Sequence, residues 1–125
     1  MTKEEQVNPV FRPNGISYLE IPALDVIMSA EFYRSGFGWK IRKDPTSTSF
    51  EDGSGHVIGH WVTDRPVARD SRVVPYIYVV SVDATLEKIS ALGGEIVKTP
   101  YKEGNLKVAT FRDPSGNLLG IWQRS

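Results

Sequence analysis

Phe111-Arg112-Asp113-Pro114-Ser115-Gly116-Asn117-Leu118-Leu119-Gly120-Ile121-Trp122-Gln123 decides the fold. Apolar residues flank a cluster of turn formers, so the stretch reads as strand, tight turn, strand. An echo stands sixty-one positions earlier, Phe50-Glu51-Asp52-Gly53-Ser54-Gly55-His56-Val57-Ile58-Gly59-His60-Trp61-Val62, with Phe, Asp, Ser, Gly, Gly and Trp at matching places. A repeat at so long a period means one supersecondary unit built twice. A second echo, Phe37-Gly38-Trp39-Lys40-Ile41 against Leu92-Gly93-Gly94-Glu95-Ile96, has an offset of fifty-five.

Working outward, Ile16 to Pro22 alternates as a strand does. Asp25 caps a helix in which Ile27, Ala30, Tyr33 and Phe37 fall at helical spacing, ended by Gly36 and Gly38. Strands follow over 39–43, 46–50 and 56–63. Residues 64–72, charged and carrying Pro66, read as a linker. The second half repeats the order: a strand over 73–80, a helix capped by Asp83 and closed by Gly93-Gly94, then strands over 95–99, 106–111 and 117–123, with a turn near Pro100. The class is therefore α+β, two tandem βαβββ modules over about 15–63 and 73–123 within one domain spanning 15–123. Residues 1–14, polar and broken by Pro9 and Pro13, read as a flexible N-terminal arm.

Composition narrows the function. The chain has 125 residues and no cysteine, which removes disulfides, thiolate metal sites and a cysteine nucleophile. Fifteen basic residues balance fifteen acidic ones, against a dedicated nucleic-acid binder. The apolar run Val73 to Val80 is far short of the roughly 20 residues that span a bilayer. The first six residues are polar and do not read as a signal peptide. A cytoplasmic protein with neither membrane nor nucleic-acid partner is expected. No Ser-His-Asp pattern, phosphate-cradling loop or zinc-ligand spacing is present.

Five stretches carry a family likeness: Glu20-Ile21-Pro22 through Asp25 to Phe32-Tyr33; Phe37-Gly38-Trp39; Val82-Asp83-Ala84; Leu92-Gly93-Gly94; and Asp113-Pro114-Ser115-Gly116-Asn117. Together they resemble the vicinal oxygen chelate superfamily, which holds glyoxalase I, extradiol dioxygenases and the fosfomycin- and bleomycin-resistance proteins. The resemblance implies sheets curled into a cup around a small-molecule ligand, and a homodimer. In metal-dependent members it implies His and Glu ligands from the first and fourth strands of each module. Carried over, those positions fall on Tyr18, Gly59, Val74 and Gly120. Three have no side-chain donor and tyrosine is a rare ligand, so no metal and no cofactor are expected. The alternative is a divalent metal on His60 with Glu20. His56 and His60, on one expected strand, would stand roughly 13 Å apart, too far to share an ion.

If those positions point into the cup, alternation places Tyr18, Glu20, Val57, Gly59, Trp61, Val74, Tyr76, Tyr78, Leu118, Gly120 and Trp122 on its inner face. Leu19, Ile21, Ile58, Ile77, Val79, Leu119 and Ile121 then face the helices. Aromatic walls with glycines as an open floor suit a planar or cationic molecule, though aromatics also serve as plain core. Glu20 is the inward carboxylate, suited to a general base or a counter-ion, or else paired with a nearby cation. The expected function is that of a metal-free, bleomycin-resistance-like binder of a small molecule. The alternative is a lyase, isomerase or dioxygenase-type enzyme using displaced metal ligands or Glu20 as base.

Overall fold

Strand and helix signals alternate identically in the two halves, and the computed structural model, which describes residues 8–124, realises them as two like modules. The first runs β1 (Tyr18–Pro22), α1 (Val26–Phe37), β2 (Lys40–Lys43), β3 (Thr48–Glu51) and β4 (Ile58–Val62). The second runs β5 (Tyr76–Tyr78), α2 (Val82–Ala91), β6 (Glu95–Glu103), β7 (Leu106–Arg112) and β8 (Leu118–Arg124). The sheets are ordered β1-β4-β3-β2 and β5-β8-β7-β6, and they do not close into a barrel. Only β1–β4 and β5–β8 are parallel, the pairs whose connection includes a helix. Of the expected arm, residues 1–7 lie outside the described residues; Pro9–Phe11 forms a 3-10 turn.

Local chemistry sets the boundaries. Asp25 accepts the Met28 amide at 3.1 Å to start α1, and Gly38, at φ 72°, ends it. The α2 cap is Ser81, which accepts the Ala84 amide at 3.1 Å, rather than Asp83. Asp83 sits in the first turn, where a carboxylate favours the helix dipole, and pairs with Lys107 at 2.7 Å. The buried stripe of α1 is Ser29, Ala30, Phe32 and Tyr33, while Ile27 is exposed. Pro100 does not end β6. It lies in an edge strand, where a missing amide is tolerated, within the second of two register shifts.

One core serves both modules. Tyr33 stacks on Trp39 at 4.4 Å and lies 6.0 Å from Trp61, while Phe32 and Phe37 meet Phe111 of β7 at 6.1 and 6.0 Å. The Asp113 turn clasps this arrangement. Asp113 Oδ1 accepts the amides of Ser115, Gly116 and Asn117 at 3.0, 3.0 and 2.9 Å. Its Oδ2 accepts the Tyr33 hydroxyl at 2.8 Å and Asn117 Nδ2 at 2.9 Å. Asn117 also donates to the Pro22 carbonyl at 2.6 Å and accepts the Ala68 amide at 2.7 Å. Ser115 Oγ accepts the Leu24 amide at 2.9 Å. The second module's turn thus holds the end of β1, the entry to α1 and the linker. Asp52, its counterpart, bonds only within its own turn among the described residues.

The two turns differ in length, which corrects the facial assignment. The Asp113 amide donates to the Asn117 carbonyl, but the Asp52 amide reaches one residue further on, to Val57. Phe111 therefore faces Leu119, whereas Phe50 faces Gly59. The structural twin of Gly120 is His60, not Gly59. A slip of one residue turns every side chain to the other face. Gly59 and Trp61 accordingly share the helix side with Leu19 and Ile21, and Tyr18, Glu20, Ile58 and His60 share the open side. In the second sheet the assignment holds: Tyr76, Tyr78, Leu118, Gly120 and Trp122 lie on the open face, and Ile77, Leu119 and Ile121 on the helix side.

Candidate functional site

A cleft of about 480 Å³ runs between the β1 and β5 borders of the two sheets. Its volume falls in the range of small-molecule pockets. Leu19, Val57, Val73, Val74 and Leu118 make an apolar wall, and Glu20, Tyr76 and Asn117 add polar groups. Glu20, Val74 and Tyr76 are the predicted site residues that this cleft brings together. Tyr78 and Trp122 lie on the open face of the second sheet, edge to face at 4.8 Å. Trp61 is instead 4 % exposed, in the core between Phe50 and Tyr33.

Neither glycine forms an open floor. A Cβ at Gly59 would collide with the Leu19 carbonyl oxygen and lie 2.7 Å from the Phe50 ring. A Cβ at Gly120 would collide with the ring of Tyr76, which lies over that position. Glycine is required at Gly59 by the approach of backbone, and at Gly120 it leaves room for an aromatic ring. Burial, and then the neighbouring Tyr101, pushes the Tyr76 hydroxyl above its usual value, so it stays a neutral donor.

The first sheet's open face carries a polar chain. Arg65 Nη2 lies 2.8 Å from Glu20 Oε1, Glu20 Oε2 lies 3.6 Å from His60 Nε2, and His60 Nδ1 is 2.7 Å from the Tyr18 hydroxyl. Tyr18 is about half exposed. Arg65 is the functional candidate that sequence reasoning missed; the sequence reading sets His60 beside Glu20 only as an alternative metal site, and the structure places the two 3.6 Å apart. The longer Asp52 turn that puts His60 beside Glu20 is not visible in the sequence, where both turns carry Asp, Ser and Gly at equal spacing.

The corrected register changes which positions the resemblance matches to metal ligands. With His60 in place of Gly59, the matched positions are Tyr18, His60, Val74 and Gly120, which supply one ordinary donor. Among the described residues no three His, Asp or Glu side chains converge on a common point. No described helix is long and apolar enough to cross a membrane.

Residues 15–121 match the family model described as Glyoxalase/Bleomycin resistance protein/Dioxygenase superfamily. The chain is 30% identical over 134 aligned positions to the anthracycline biosynthesis proteins DauV of Streptomyces sp. (strain C5) and DnrV of Streptomyces peucetius. The match covers 91% of this chain and 48% of either relative, so the chain spans about half the length of these curated relatives. Among solved structures, TnmS3, an antibiotic binding protein from Streptomyces sp. CB03234, superposes with a TM-score of 0.72 at 19% identity, covering 90% of this chain and 97% of that one. The fosfomycin resistance protein FosX from Mesorhizobium loti gives 0.72 at 13% identity, with coverages of 91% and 95%. These two likenesses show the fold.

Proposed function

The chain belongs to the Glyoxalase/Bleomycin resistance protein/Dioxygenase superfamily, and from that premise we propose that it is a binding member which holds a small planar molecule without a metal. The observation that carries this is the apolar cleft with Tyr76 at its border; the Tyr78–Trp122 pair on the open face of the second sheet is a separate aromatic surface. Flat aromatic walls reward flat ligands by stacking. The names of the relatives, anthracycline biosynthesis and antibiotic binding, support a polycyclic aromatic ligand. Tyr18, Tyr76 and Tyr78 are each about half exposed, which supports a homodimer in which a second copy covers the open faces. A cysteine-free chain suits the cytoplasm. The test is a thermal-shift and tryptophan-quenching titration with fused-ring aromatics, on the native protein and on Tyr76→Ala. Binding that weakens at least tenfold in the variant is expected; no binding by any fused-ring compound sinks the reading.

The second reading is an enzyme with Glu20 as base, favoured by the Arg65–Glu20–His60–Tyr18 chain. It requires a bound compound to be chemically altered on incubation and Glu20→Gln to abolish the change. Elemental analysis of the purified protein separates a metal-assisted version from a metal-free one.

A further inference from the structure

We infer that Asp52 is an anchor for the ligand, and that the ligand is a flat aromatic molecule bearing a cation such as a protonated amine. This rests on the planar-ligand reading above and specifies the ligand's charge. The two Asp turns of the repeat use their carboxylates differently. Asp113 engages both oxygens, Oδ1 with three amides of its own turn and Oδ2 with Tyr33 and Asn117. Asp52 engages one. Its Oδ1 accepts the Ser54 hydroxyl and the Gly55, His56 and Val57 amides at 2.9, 2.9, 3.2 and 3.4 Å. Among the described residues Oδ2 has no hydrogen-bond partner, and no Lys or Arg forms an ion pair with Asp52. A carboxylate oxygen can only accept, so what Oδ2 lacks is a donor.

Asp52 lines the apolar cleft, as does Glu20, and no Lys, Arg or His lines it with them. Arg69 and Arg72 of the linker are neighbours in sequence of the lining residues Ala68 and Ser71 but do not themselves line the cleft. Glu20 and Asp64 share a single guanidinium, that of Arg65, at 2.8 and 3.7 Å. His60, 3.6 Å from Glu20, adds one positive charge at most. Asp52, Glu20 and Asp64 therefore outweigh Arg65 and His60 in either protonation state of the imidazole. Apolar walls strengthen the field of a carboxylate set beside them. An anionic ligand is repelled here, and a neutral one leaves Oδ2 to water. A flat ring carrying an ammonium group covers the apolar wall and gives Oδ2 its donor as a charge-assisted hydrogen bond.

Titration calorimetry at neutral pH with three naphthalenes of like shape tests this: 2-(aminomethyl)naphthalene, 2-naphthalenemethanol and 2-naphthoate. The native protein is expected to bind the amine about tenfold tighter than the alcohol, and the carboxylate most weakly. The amine's advantage should shrink as salt is added. Asp52→Asn keeps an Oδ1 acceptor for the turn and removes the charge. It should bring the amine's affinity down to the alcohol's and leave the alcohol's unchanged. A structural role for Asp52 would weaken all three compounds together and leave their ratios alone, which overturns the assignment. An amine preference that survives Asp52→Asn and is lost in Glu20→Gln overturns it too, moving the anchor to Glu20. Equal binding of amine and alcohol by the native protein overturns charge selection but leaves the planar-ligand reading standing. If none of the three binds, the planar-ligand reading falls and this inference falls with it.

Discussion

Tyr33 and Asp113 form a buried neutral–ionic pair on which the core turns. Burial, and then the Asp113 charge, push the Tyr33 hydroxyl well above 10.0. An unfolded tyrosine loses its proton near 10, so this pair's contribution is intact below that pH and is lost as pH rises above it. Urea midpoints measured from pH 8 to 11 should therefore fall more steeply for the native protein than for Tyr33→Phe. At pH 8 that variant should be less stable by about 1–2 kcal/mol, because Asp113 Oδ2 keeps only Asn117. The glycines give a second contrast. Gly59→Ala meets backbone and should cost about 2–3 kcal/mol. Gly120→Ala meets an exposed tyrosine ring that can swing aside, so denaturant unfolding should show a smaller loss. From sequence alone both glycines read as gaps, because the atoms that crowd them, the Leu19 carbonyl and the Tyr76 ring, come from other strands.

At the scale of elements, the sequence revealed all eight strands and both helices, since each leaves a local period or a local stop. It misplaced what depends on counting across a turn. The Asp52 turn exceeds the Asp113 turn by one residue, although both carry Asp, Ser and Gly at equal spacing. That residue moves His60 to the open face and Trp61 to the core, so the facing of side chains was legible in the second module and inverted on β4. Helix capping shows the same limit, because Asp83 and Ser81 are both plausible caps until the backbone is seen. Thermal unfolding should separate them: Ser81→Ala is expected to cost about 1 kcal/mol, and Asp83→Ala less, since it removes an exposed ion pair from the first turn.

At the scale of the whole molecule, α1 packs against aromatic residues of both sheets, so the modules are expected to unfold together. Phe111→Ala should destabilise the protein by about 3–5 kcal/mol. In a Trp122→Phe background, where fluorescence reports on Trp39 and Trp61 of the first module, it should remain coincident with far-UV circular dichroism of the whole chain in that variant. Two separated transitions would show that the shared core does not couple the modules.

The outer borders of the two sheets have a consequence for self-association. β2 carries Lys40, Arg42 and Lys43 in four residues, and β6 combines Lys98 and Lys102 with Pro100 and two breaks in register. Strand borders charged and interrupted in this way are poor templates for another chain's backbone. Pairing of another chain's backbone onto β2 or β6 is therefore disfavoured, and growth of either sheet into a continuous ribbon is opposed at that outer rim.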